Sequence, residues 1–247
     1  MSRVESHTSW PSEYSGAGRL LASAKHCTQI RIQKPLSPCG VYEIQPAGTN
    51  ARIKVYCEMR PADGWIVIQR RSGRAVSFNK GWAKYRFGFG SLKFDHWLGL
   101  ENIHLLTKDM TKRWTLRVEL WDHEGEFAFA EYSDFKLGDE RTAYQLHVGT
   151  YSGNAGDALH DQNGSGFSTY DRDNDNCYPC IYGDIAFNKC TTKHGSGWWY
   201  SGCGSAALNG EWRSSADSVG WSSGLHWLTW KGKPYSAKAT RMMIMSD

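Results

Sequence analysis

Seven cysteines, at positions 27, 39, 57, 177, 180, 190 and 203, constrain this chain more than any other feature. In 247 residues they fit an oxidising, extracellular setting, with about three disulfides and one thiol left over. The opening stretch, MSRVESHTSWPSEYSGAGRLLASAKH, carries no apolar run long enough for a secretory signal. The expectation is therefore that the true N-terminus is missing or that the chain leaves the cell by an unusual route. Residues 1–26 are Ser- and Gly-rich without apolar period and read as a flexible leader. No segment of the sequence is apolar enough to span a bilayer.

The length allows one large domain or two small ones, with a sizeable core. Charge is nearly balanced, with 29 basic and 25 acidic residues. No basic run points to nucleic acid or a membrane surface. Against 7 Pro stand 26 Gly, 12 Trp and 12 Tyr, which suits a loop-rich domain with a core built from rings. GVYEI (40–44), IKVYC (53–57), GWIVIQR (64–70) and TLRVELWD (115–122) read as strands, the last by its apolar–polar alternation. HWLGLENIHLLTKDM (96–110) reads as short helical turns. From about residue 149 periodicity fades and Gly, Asn, Asp and Ser become dense, the texture of long loops that carry function. Collagen repeats, heptads and internal repeats are absent from the sequence.

The stretch TYDRDNDNCYPC (169–180) places Asp171, Asp173 and Asp175 at alternate positions. Carboxylates so spaced suit a hard cation that takes six to eight oxygens. The loop is not an EF-hand, because its sixth position is Asn176 and its twelfth Tyr182. A metal-free polar turn is the other reading, and composition leaves both open. Cys177, Cys180, Cys190 and His194 have the C-x2-C-x9-C-x3-H spacing of a zinc site. Disulfides explain the same cysteines more simply in a chain with seven of them.

GWSSG (220–224) matches G-x-S-x-G around Ser222, but no acid except the terminal Asp247 follows, so no triad can form and the match is chance. NGS at Asn163 is a candidate glycosylation acceptor. GSGWWY (195–200), with Trp212, Trp221, Trp227 and Trp230, is either core or an aromatic wall for sugar or acetyl groups.

Taken in order, GVYEI, VYCEM, GWIVIQRR, FGFGSLKFDHWLGLENIHLLT, LRVELWD, AEYSDFKLG, YSGNAGDAL, FSTYDRDND, GSGWWY, LNGEW and YSAKATRMMI resemble the fibrinogen C-terminal domain family. The resemblance runs from about Cys27 to Ile244. It implies a secreted α+β domain with a twisted, mostly antiparallel sheet, short helices and a loop-rich calcium- and ligand-binding region. Its parts would be a disulfide-tied N-terminal part (27–60), a central sheet part (about 61–148) and the binding region (about 149–235). It implies the pairs Cys27–Cys57 and Cys190–Cys203. It also implies calcium on the Asp173 and Asp175 carboxylates and the backbone carbonyls of Cys177 and Pro179. A longer segment before Cys190 rebuilds the far side of that site, with Asp184 as a replacement ligand.

A Cys177–Cys180 bridge would close this segment, leaving Cys39 free or joined to a second copy. A cysteine after DND, and CG at Cys203–Gly204, resemble angiopoietins. Ficolin and tachylectin-type relatives bind acetyl groups beside a cis peptide, which would fall here at Gly202–Cys203. Lys193, His194 and Gly204 depart from the fibrin pocket, and Gly204 removes a histidine of the acetyl pocket. The ligand pocket expected here comprises His194, Trp198, Trp199, Gly202, Cys203 and Trp221. The leading expectation is a non-enzymatic, calcium-binding lectin-like module for microbial or acetylated glycans in innate defence. The alternative is an angiopoietin-like ligand for a receptor ectodomain.

Overall fold

The computed structural model describes residues 24–182, 185–216, 224–231 and 235–247. The chain opens with α1 (Cys27–Gln33), β1 (Gly40–Ile44), β2 (Ile53–Met59) and β3 (Gly64–Arg71). The middle holds α2 (Trp82–Phe87), β4 (Phe89–Gly90), β5 (His96–Trp97), α3 (Leu100–Thr107), β6 (Trp114–Trp121) and β7 (Phe127–Tyr132). Short strands β8 (Lys136–Leu137), β9 (Leu146–His147) and β10 (Tyr151–Gly153) lead into the loop-rich part. That part carries β11 (Cys180–Tyr182), β12 (Ile185–Phe187), α4 (Cys190–His194), β13 (Ala206–Ala207) and β14 (His226–Trp227). The chain closes on β15 (Ala239–Ser246).

A nine-stranded antiparallel sheet has the main order β1-β2-β3-β15-β6-β7-β10, with β5 pairing onto β3 and β4 onto β5. The last strand therefore lies in the middle of the sheet. Met243 of β15 is in register with Val67 of β3 on one side and Arg117 of β6 on the other. Two hydrophobic layers explain why GWIVIQRR reads as a continuous apolar run and not as an alternation. Ile66 and Ile68 enter the main core, while Trp65, Val67 and Met243 form a second cluster on the other face.

The sequence-based strands appear, most of them lengthened or shifted by a residue or two. Residues 96–110 differ from expectation. His96 and Trp97 pair with Arg70 and Gln69 before any helix begins. Gly99, at φ 105°, then turns the chain into α3, and a Cβ there would lie 2.7 Å from the Phe87 carbonyl carbon. Residues 24–26, expected in the leader, are tied to the body: Gln45 N–H donates to the Ala24 carbonyl, and the His26 ring accepts from the Gln29 N–H. Strands from 27–60 pair directly with β3, so the N-terminal part shares one sheet with the central part.

The outer face of the sheet centres on Glu119, which meets Arg60, Arg117 and Arg241 at 2.6, 2.8 and 2.6 Å. Burial alone would raise the Glu119 carboxyl, but the arginines overcome it and hold it below the usual range. The loop-rich part is fixed to the sheet by rings. Trp97 packs at 5.9 Å from Trp199, which packs at 5.1 Å from Phe167 and 5.3 Å from Trp198. Among the described residues no helix is long and apolar enough to cross a membrane.

Candidate functional site

The three alternating aspartates divide their tasks. Asp171 turns away from its neighbours, and one carboxylate oxygen accepts from Trp82 N–H at 2.8 Å and Thr169 Oγ1 at 2.6 Å. It thereby satisfies a free N–H at the start of α2. Gly81 makes this approach possible, since a Cβ there would lie 2.6 Å from Asp171 Oδ2. Arg172 and Asn174 face the body of the domain. The Arg172 guanidinium lies 3.9 Å from the Trp82 ring centroid, and Asn174 Nδ2 donates to the Phe167 carbonyl.

Asp173 and Asp175 face each other. Asp175 N–H donates to Asp173 Oδ1 at 3.2 Å. The two oxygens of the buried Asp175 carboxylate accept from Cys177 N–H at 2.9 Å and Cys190 N–H at 2.7 Å. Burial raises the Asp175 carboxyl above its ordinary value, and the Asp173 charge adds to the rise despite the backbone donors. Lys189 Nζ stands 3.9 Å from Asp173 Oδ2 as the counter-charge within reach. Two carboxylates pressed together, with the proton affinity of Asp175 raised, fit a hard divalent cation, which would replace the proton. Cys177 and Pro179 lie on the segment running from this loop into β11. Asp184 lies outside the described residues.

Disulfides join Cys27 to Cys57, Cys177 to Cys180 and Cys190 to Cys203. Cys39 is exposed and unbridged. The zinc spacing read from the sequence is not assembled: the fourth sulfur beside Cys177, Cys180 and Cys190 belongs to Cys203, all four within 4.8 Å, and His194 is not in the group. Bridging engages these sulfurs with one another.

The candidate aromatic pocket differs most from expectation. Trp198 and Trp199 are both 0% exposed. Their indole N–H groups donate to Gln162 Oε1 and the Tyr144 carbonyl. They belong to the core and not to an open wall, because the ring cluster that anchors the loops needs their area. His194 is buried between the rings of Tyr200 (4.9 Å) and His226 (5.0 Å). Burial pushes the His226 imidazole down to about 4. The Gly202–Cys203 peptide is trans; the cis bond among the described residues is Tyr178–Pro179. The chain turns there instead through successive left-handed residues, Gly202, Cys203 and Gly204. At Gly204 a Cβ would lie 2.3 Å from Gln162 Nε2, so this position has no room for a side chain. Trp221 and Ser222 lie outside the described residues. Asn163 is exposed, with its amide bonded in both directions to the Val148 backbone.

Two clefts flank α4. One, of about 530 Å³, has Arg71, Arg74, Phe78, Asn79, Lys193 and Trp212 in its lining. The other is a shallower groove with Asn79, Tyr170, Thr191, Thr192 and Gly195. None of Arg71, Arg74 or Tyr170 stood out in the sequence as a site residue. RRSGR, the end of a strand run followed by another arginine, is the signal that could have marked the first cleft.

Fold and site together define a disulfide-tied domain built on a sheet with the C-terminal strand at its centre. Residues 23–247 match the family described as fibrinogen beta and gamma chains, C-terminal globular domain, and the chain belongs to that family. It is 40% identical over 225 residues to human angiopoietin-related protein 7, which covers 90% of this chain and 61% of that relative. It is 39% identical to bovine fibrinogen-like protein 1, over 83% of this chain and 67% of that relative. The fibrinogen-like globe domain of human ANGPTL2 superposes with a TM-score of 0.79 at 36% identity, covering 90% of this chain and 98% of that one. The chain thus spans about three fifths of the length of the angiopoietin-related relative.

Proposed function

We propose that this domain is a secreted, non-enzymatic recognition module that docks a protein partner, with a calcium ion fixing the loop of Asp173 and Asp175. The reading rests above all on the fate of the tryptophans. Trp198 and Trp199, two of the three rings expected to stack on a sugar, are buried with their N–H groups bonded inside the protein. The accessible surface beside them is instead a cleft with Arg71, Arg74 and Lys193 in its walls, which suits a polar or acidic protein surface. The likeness to angiopoietin-related and fibrinogen-like proteins supports the same ordering. Three disulfides support an extracellular setting. Calcium would act here as a structural brace. Asp173 and Asp175 would hold it, and Asp175 would pass the constraint to Cys177 and Cys190 through its backbone bonds.

A lectin role is the second reading, favoured by the groove at Tyr170. An exposed ring with Asn79, Thr191 and Thr192 beside it is chemistry that a sugar can use. The two readings separate in an NMR titration with N-acetylglucosamine. Protein recognition leaves Tyr170 and the indole N–H signals in place. Saturable movement of Tyr170 with the Thr191 and Thr192 amides would replace it with the lectin reading.

A further inference from the structure

Arg71 closes β3 and is 2% exposed. Its guanidinium is held in place from two sides: Nη1 donates to the Asn209 and Gly210 carbonyls at 3.1 and 2.7 Å, and the Phe78 ring centroid lies 4.0 Å from Cζ. Its Nε–H is buried and has no hydrogen-bond partner. No carboxylate among the described residues lies within ion-pair distance of it. Asp95 attracts it from further away, but that carboxylate is engaged by Ser72 N–H and Oγ and by Gly73 N–H. Burial depresses the Arg71 guanidinium to about 10, so the charge persists at neutral pH without a neutralising group among the described residues.

A buried charge of this kind is costly unless something pairs with it. Carbonyl bonds at Nη1 serve the fold, tying β3 to the 209–210 turn; they do not neutralise the charge. Arg71 also lines the cleft of about 530 Å³, together with the exposed Arg74 and with Lys193. The one acid in that lining, Glu211, is mostly exposed and paired with Arg213 at 3.3 Å. We infer that this cleft is a carboxylate-binding site, filled by an acidic side chain of the protein partner. The source of the carboxylate rests on the protein-recognition reading above; the site itself does not. A planar, two-oxygen acceptor is the form of anion that lies in the plane of a guanidinium whose face is already covered by Phe78. Arg74 would hold the mouth of the cleft positive and orient the incoming acid.

The test follows the Arg71 Nε–H signal by NMR during titration with N-acetylglutamate N-methylamide, and separately with inorganic sulfate, at constant ionic strength. The signal should move saturably with the glutamate probe, and less readily with sulfate. Because Arg74 is exposed, Arg74→Ser should fold normally and weaken the probe about tenfold, the loss of one charged contact. An unmoved Arg71 signal at saturating probe, or equal affinity in Arg74→Ser, overturns the site. Tighter binding of sulfate overturns the carboxylate assignment. A moving signal in a protein that docks no ectodomain leaves the site intact and overturns its proposed source.

Discussion

The Asp175 carboxylate accepts the backbone N–H of Cys190 at 2.7 Å, and its other oxygen accepts that of Cys177 at 2.9 Å. One side chain thereby joins the aspartate loop, the start of α4 and both neighbouring disulfides. Asp175→Ala leaves two buried N–H groups without acceptors and should cost about 2–4 kcal/mol. Asp175→Asn keeps one acceptor and should cost less. Urea denaturation of the three proteins measures the difference.

Calcium at ten times its dissociation constant should add about 1.4 kcal/mol to stability, and Asp173→Asn should abolish the gain. The pH dependence has a definite sign. The Asp175 carboxyl is raised in the folded protein, so between its unfolded and folded values the native state holds more protons. Stability of the calcium-free protein from this group therefore falls as pH rises through that window. Calcium bound there would displace the proton, so its stabilising effect should grow with pH over the same range. Melting temperatures with calcium and with EDTA, taken across the acid range, check both statements.

Glu119 has the opposite sign. Its carboxyl is held below the usual range by Arg117, Arg241 and Arg60 against the effect of burial. Its contribution is full above the unfolded glutamate value and is lost as pH falls through the folded one. Glu119→Gln removes the carboxylate shared by three arginines, but Arg117 keeps Glu131 at 2.6 Å and Arg241 keeps Glu58 at 2.9 Å, so it should destabilise the protein by about 1–3 kcal/mol in denaturant titrations.

Trp199→Ala should cost about 3–5 kcal/mol, as expected of a core ring and not of a ligand contact. Gly204→Ala should also destabilise the protein. It places a Cβ at φ 70° and against Gln162, whose Oε1 holds the Trp198 indole. Thermal unfolding of both variants, beside Tyr170→Ala as a surface control, distinguishes core from surface.

The sheet was legible because its strands carry runs long enough to declare themselves, as GWIVIQRR and TLRVELWD do. His96 and Trp97 were not, since two residues pairing across a sheet leave no period in the sequence. In the aspartate loop, spacing alone did not separate Asp171, which caps α2, from Asp173 and Asp175; the family resemblance did. Buried and exposed tryptophans look alike in a Gly-rich segment, so Trp198 and Trp199 read as pocket walls until packing placed them in the core. Arg71 was visible only as part of the basic run RRSGR. Nothing local shows that a strand-end arginine will be buried with no carboxylate among the described residues within ion-pair distance.

Side-by-side binding of the purified domain to a panel of receptor ectodomains and to a glycan array, each with calcium and with EDTA, tests the protein-recognition claim most directly. The account expects saturable binding to an ectodomain that free N-acetylglucosamine does not displace, and a blank glycan array. Calcium-dependent glycan binding reversed by the free sugar, with no ectodomain bound, would contradict it.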